Sequence, residues 1–183
     1  FPYAEIARRV IRPFVAGRVP DDVFRALCED AYDFEVPLEQ YAPGRHILRL
    51  DRGPTASFKD FAARMMARLM QFFLTEQRRR VTILTATSGD TGGAVAAAFH
   101  GLDNVHVVVL FPGAEVSAPQ RRQMTTLGGN VHAVNVDGKF DDCQALVKQA
   151  FVDPDLAGLD LSSANSINVG RLIPQTVYYV YAA

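Results

Sequence analysis

From Val81 to Asn165 the chain alternates β-rich runs with helical ones, and no other feature constrains its fold as strongly. "VTILTAT" leads into "GGAVAAAFHG", "VHVVVLFP" into "APQRRQMTTLG", and "NVHAVNV" into "FDDCQALVKQAF", before a last strand-like run, "LDLSSAN". Gly101 and Gly128 stand where glycines end helices. Strands and helices that alternate through short connections predict an α/β fold, a parallel sheet with right-handed crossovers and helices over its faces. Ligands on such sheets collect at the carboxyl ends of the strands. Three stretches are expected there: residues 53–60, 87–93 and 165–171.

Upstream of the alternating region the pattern is helical. "YAEIARRVIRPFV" and "DDVFRALCEDAYDF" each predict a helix, with Asp21 or Asp22 as N-cap of the second. Pro37 and "APGRH" break the chain, and "HILRLDRG" reads as a strand. After it, Phe58, Phe61, Ala62, Met65, Leu69 and Phe72 recur at helical spacing, the stripe of a helix facing a core. Ser57 followed three residues later by Asp60 resembles a capping box and predicts a helix starting at Phe58.

Composition removes several classes of function. The 183 residues carry a formal net charge of −1, which offers no field for nucleic acid or an anionic membrane. The basic run Gln77-Arg78-Arg79-Arg80 reads as a solvated helix end. Cys28 and Cys143 make no disulfide framework, and neither they nor the four histidines have metal-ligand spacing, so no metal is expected. No apolar run approaches the ~20 residues that span a bilayer. No signal peptide is visible and a reducing cytoplasm is the expectation. The chain opens without Met and stops in the apolar-rich "VGRLIPQTVYYVYAA", so it is expected to be a piece of a larger protein.

The three stretches carry chemistry. Lys59 falls in the first turn of its helix, where the helix dipole disfavours a cation and favours the neutral, nucleophilic amine that a Schiff base needs. "TSGDTGG", residues 87–93, fits neither G-x-x-x-x-G-K-[ST] nor G-x-G-x-x-G. The hydroxyls of Ser88 and Thr91 and the amides of a helix N-terminus suit a small carboxylate, while Asp90 would repel a phosphate and is expected to face a donor. "NSINVGR", residues 165–171, has Asn168 as an expected N-cap. Arg171 there can fork onto a phosphate that also takes bonds from Asn165 and Ser166. Together the three describe a ligand with a carbonyl partner for an amine, a carboxylate and a phosphate.

With those residues in view, the chain resembles threonine synthase, a family of pyridoxal 5′-phosphate (PLP) enzymes of the tryptophan-synthase-β fold type (fold type II). "GPTASFKDFA" is similar to that family's lysine motif, "TSGDTGGA" to its substrate-carboxylate loop and "SSANSINVGR" to its substrate-phosphate segment. Relatives of this fold type usually carry Asn where Asp90 stands, which favours threonine synthase over cysteine synthases and dehydratases. The resemblance implies that Lys59 forms the Schiff base with PLP, that Phe58 and Asp60 position it, and that Asp90 meets the cofactor's 3′-oxygen. It gives the substrate carboxylate to Ser88, Gly89 and Thr91, and the substrate phosphate to Asn165, Ser166, Asn168 and Arg171.

The implied reaction converts O-phospho-L-homoserine and water into L-threonine and phosphate. The implied organisation is residues 1–75 as part of a large PLP-binding domain, 76–150 as a small mobile α/β domain, and 151–183 as a return to the large one. The loop for the cofactor's own phosphate is expected outside this chain, and the assembly is expected to be a monomer or homodimer. Arg52 and Ser57 depart from the family's common His and Ala at those positions. Three other readings stay open on sequence: a phospho-lyase releasing 2-oxobutyrate, a non-catalytic domain that binds a phosphorylated ligand, and a purely structural fragment.

Overall fold

A computed structural model describes residues 1–183. Two helices open the chain, α1 (Tyr3–Val15) and α2 (Asp21–Ala31), and a hairpin follows, β1 (Leu38–Ala42) with β2 (Arg45–Leu48). The long α3 (Lys59–Gln77) leads into β3 (Val81–Ala86), α4 (Asp90–Phe99), β4 (Val105–Pro112), α5 (Ala118–Thr125), β5 (Val131–Val136) and α6 (Phe140–Val152). A 3₁₀ turn (Pro154–Leu159), the short β6 (Leu161–Ser162) and α7 (Val169–Ala182) complete it, with Pro174 inside α7.

Four strands form one parallel sheet in the order β5-β4-β3-β6. The order reflects composition: β3 is buried over nearly its whole length, as an interior parallel strand must be, whereas β5 at the edge exposes half of its residues. Helices over a parallel sheet are the architecture that the alternation predicts.

The structure corrects several details. "HILRLDRG" contributes only to the antiparallel β1–β2 hairpin, so residues 53–60 do not follow a strand of the parallel sheet. The hairpin was hidden because its first strand, "LEQYA", is almost wholly exposed and lacks alternation. "LDLSSAN" pairs through two residues only, because Ser163 and the residues after it turn away to build the approach to α7. The N-cap of α2 is Pro20 rather than Asp21 or Asp22, which sit in the first turn and favour the helix dipole instead. No capping box opens α3: Ser57 Oγ accepts only from the Lys59 amide at 3.3 Å, and the Asp60 carboxylate is committed elsewhere. The helix therefore starts at Lys59 with Phe58 as its cap residue. α5 stops at Thr125, a little before Gly128.

Two apolar clusters hold the fold, and both include α3. One face of α3 gives Phe61 and Met65 to a cluster with Tyr3, Ile11, Phe24 and Tyr178. The other gives Ala63, Met66, Ala67 and Leu74 to the sheet, α4 and α5. Phe61 is fully buried and meets Tyr3, Phe34 and Tyr178 edge-on at ring separations of 5.2, 5.1 and 5.9 Å. Between α4 and α5 the packing is closer still: a Cβ on Gly92 would lie 2.5 Å from Met124 Sδ and 2.8 Å from Val109 Cγ1.

Phe61→Ala is expected to cost about 3–5 kcal/mol, because its site is walled by aromatic rings that cannot collapse into the space; urea unfolding should show a lower midpoint. The fold also predicts an alkaline weakness. Burial pushes the Cys28 thiol up to about 12, with Arg8 opposing, and also raises Tyr3 and Tyr32. A group whose ionisation is raised on folding contributes stability that is full below its unfolded value and is lost as pH rises through the folded one. Unfolding midpoints are therefore expected to fall between pH ~9 and ~12, and Cys28→Ala to flatten part of that fall while lowering the whole curve.

Candidate active site

Lys59 opens α3, and its position is set by what surrounds the helix start. The Asp60 side chain, 1% exposed, accepts from the Thr55 amide at 2.9 Å and from the Thr55 hydroxyl at 2.6 Å, which ties the preceding loop back on the helix. Ala56 in that loop takes a positive φ of 55°, a conformation the two Asp60 bonds help to hold. Phe58, 42% exposed, places its ring beneath the amine, with Lys59 Nζ 4.2 Å from the ring centroid.

The loop after β3 meets that amine from the other side. Thr87 is buried, and its hydroxyl oxygen accepts from the amides of Gly89 and Gly92 at 2.9 and 2.8 Å, capping α4 from within the loop. The amides of Ser88, Asp90 and Thr91 have no partner in the chain. Gly89 has φ +138°, which only glycine adopts without strain. Asp90 begins α4, and its carboxylate lies 3.4 Å from Lys59 Nζ through one oxygen and 2.7 Å from Gln120 Nε2 through the other. The expected donors for Asp90 are thus a lysine and a glutamine.

The third stretch closes the same space. Asn165 follows β6, and its Oδ1 accepts from the hydroxyl of the fully buried Thr85 on β3. Asn168 caps α7: its Oδ1 accepts from the Gly170 amide at 2.8 Å, and its Nδ2 donates to the Ser163 carbonyl at 2.8 Å. Arg171, three residues further, is 3% exposed. One of its terminal nitrogens donates to the Ala164 carbonyl at 2.8 Å, while its buried Nε has no partner. Burial pulls this guanidinium down from its usual range, with Tyr178 opposing, and no carboxylate is near enough to compensate it. A buried cation in that state favours an anion as its partner.

These groups line one cavity of about 350 Å³, the lower end of the range for small-ligand sites. Lys59, Ser88, Thr91, Asn165, Ser166 and Arg171 face it, and only three of its twelve lining residues are hydrophobic. Asp90 stands at its side through the contact with Lys59. Gly89, Asp60 and Asn168 do not line it: Asp60 is spent on the Thr55 loop and Asn168 on capping α7. Sequence reasoning missed Thr85, Gln120, Gln144 on α6 and Gln175 on α7. The last two line the cavity, and Gln120 holds Asp90. No motif marks any of the four, and only the sheet topology and the packing of α5, α6 and α7 bring them to the site. Arranged this way, the cavity can present one amine to a carbonyl carbon and a buried guanidinium to an anion, with free helix amides beside it.

The chain is similar to known proteins across all three of these stretches. The family profile described as "Pyridoxal-phosphate dependent enzyme" matches residues 42–172, which include every cavity residue just named except Gln175. The threonine synthase of Serratia marcescens is 48% identical over 175 residues, 95% of this chain and 40% of that protein. Among solved structures, the PLP-bound threonine synthase from Brucella melitensis superposes with a TM-score of 0.93 at 45% identity, over 99% of this chain and 40% of that one. Threonine synthase from yeast superposes with a TM-score of 0.91 at 33% identity, over all of this chain and 39% of that one. The chain thus spans about two fifths of the length of the relatives it matches. By its lysine, its strand-end loops and the extent of the profile match, the chain belongs to the pyridoxal-phosphate dependent enzymes.

Proposed function

We propose that this chain carries the lysine, the substrate-carboxylate loop and the substrate-phosphate segment of a threonine synthase, which converts O-phospho-L-homoserine and water into L-threonine and phosphate. The observation that carries the reading is the meeting of two groups in one cavity: the Lys59 amine beside Asp90, and Arg171, buried with an unpartnered Nε and no carboxylate. The similarity to threonine synthases at 45–48% identity supports it.

The residues present suit PLP. A primary amine at the cavity wall can hold an aldehyde covalently, and the aromatic face of Phe58 and the carboxylate of Asp90 flank that amine. When bound, PLP supplies an electron sink for charge developed at the substrate's carbon atoms. The chain supplies the rest. Lys59 Nζ, the one amine lining the cavity, takes and returns protons there. The free amides at the start of α4, with the Ser88 and Thr91 hydroxyls, hold the substrate carboxylate. Arg171, with Asn165 and Ser166, holds the phosphate and stabilises its charge as it leaves. Burial of Arg171 strengthens that effect, because its field is poorly screened by water. With two buried, unpaired cysteines, the reaction belongs to the cytoplasm on this reading.

Incubating the polypeptide that carries this chain with PLP, reducing with borohydride and mapping the adduct is expected to place it on Lys59. An adduct elsewhere, or none, would sink the reading. Product analysis with O-phospho-L-homoserine is expected to give threonine and inorganic phosphate; 2-oxobutyrate in place of threonine would make the enzyme a phospho-lyase. Arg171→Met is expected to lower kcat/KM by roughly 100-fold, about 3 kcal/mol for the loss of charge-assisted bonds to phosphate. Inorganic phosphate should inhibit the wild type competitively and the variant far less.

A further inference from the structure

We propose that Gln120 on α5 is a positioning residue of this site: its side-chain amide holds Asp90 so that the second carboxylate oxygen meets the Lys59 amine. The proposal rests on the assignment of Lys59 as the reacting amine. Its geometry is closed at both ends. Gln120 Oε1 accepts from the Ser117 amide at 3.2 Å and from the Ser117 hydroxyl at 2.7 Å. A backbone N–H can only donate, so the oxygen of the Gln120 amide must face Ser117 and its NH₂ must face away. The NH₂ group then donates to Asp90 Oδ1 at 2.7 Å, leaving Oδ2 for Lys59 at 3.4 Å. Ser117, Gln120, Asp90 and Lys59 form one continuous chain of hydrogen bonds from the start of α5 to the cavity, with the Asp90 carboxylate accepting from both sides.

Two neighbouring facts show that the fold makes room for this chain. A Cβ on residue 89 would lie 2.5 Å from the Gln120 amide, so Gln120 reaches Asp90 only because Gly89 stands between them. One turn along α5, Gln123 donates to the Thr55 carbonyl at 3.3 Å, and Thr55 is the residue that Asp60 grips in the loop before Lys59. α5 therefore touches the lysine's surroundings twice, once through Asp90 and once through the loop. Asp90 needs such support: its side chain is 50% exposed, and a solvated carboxylate at a helix start is otherwise free to rotate away from a single long contact.

The test reads the amine directly and without turnover, on polypeptide first freed of PLP so that Lys59 is not tied up as an imine. The polypeptide carrying this chain is treated with limiting trinitrobenzenesulfonate, and modification of Lys59 is measured by peptide mass spectrometry against the exposed Lys148. Gln120→Ala is expected to raise the Lys59-to-Lys148 ratio by about five-fold, the worth of one ordinary net hydrogen bond, as the amine loses its fixed partner. Asp90→Ala should raise it at least as much, and the double variant no further than Asp90→Ala alone. Gln120→Glu keeps the size and the acceptor facing Ser117 but replaces the donor with a second carboxylate, and it should behave as Gln120→Ala does. An unchanged ratio in both Gln120 variants, or a Gln120 effect that persists without Asp90, would overturn the proposal. A failure of borohydride trapping on wild-type Lys59 would instead remove the cofactor reading, while the labelling ratios would still decide the role of Gln120.

Discussion

Burial of α3 on two opposite faces is the constraint on which the rest of the molecule depends. Phe61 and Met65 fasten it to the helices at the start of the chain, and Ala63, Met66 and Ala67 fasten it to the sheet. A helix held this way has no freedom to roll, and its first residue inherits that fixity. The small residues on the sheet side matter as much as the large ones opposite, since they let α3 and α4 approach along their lengths. An amine placed at the start of such a helix is aimed by the hydrophobic core packed along the helix behind it.

The parallel sheet does the complementary work. Its strands all finish on the same side, so the loops after β3 and β6 come together although about 75 residues separate Thr91 from Ser166 in the sequence. Thr85 makes the link explicit: it is on β3, fully buried, and donates to Asn165 beyond β6. The two-residue pairing of β6 is enough for this purpose, because the hydrogen bonds around Ser163 and Asn168 continue the alignment that the strand begins. Arg171 then reaches the cavity from a helix whose start is set by those bonds.

The sequence made the sheet legible because β3, β4 and β5 carry β-branched residues in runs of the right length, bounded by turn residues. It made Lys59, Ser88, Thr91, Asn165, Ser166 and Arg171 legible because each lies in a short motif with a chemical reason. Three kinds of information were out of reach. On sequence Asn168 is expected both as the N-cap of α7 and as a phosphate ligand, and no local rule says how one amide divides between the two; the fold commits its oxygen to the Gly170 amide and its nitrogen to the Ser163 carbonyl. Ser57 and Asp60 have capping-box spacing, yet the carboxylate finds Thr55 first, five residues back in a loop whose path no local rule fixes. Gln120, Gln144 and Gln175 are ordinary glutamines on helices, and their partners are contributed by other elements.

Pro174 gives the anion side of the cavity a property of its own. Proline has no amide hydrogen, so the Gly170 carbonyl one turn earlier in α7 lacks the helical donor it would otherwise have. The turn that bears Arg171 is therefore joined to the body of α7 by one hydrogen bond fewer than an uninterrupted helix would give. A small displacement of the Gly170 carbonyl breaks no backbone hydrogen bond of the helix, although the turn stays tied at its start through Asn168. The guanidinium is thus deeply buried, yet carried on a turn that lacks one of the backbone hydrogen bonds of an uninterrupted helix.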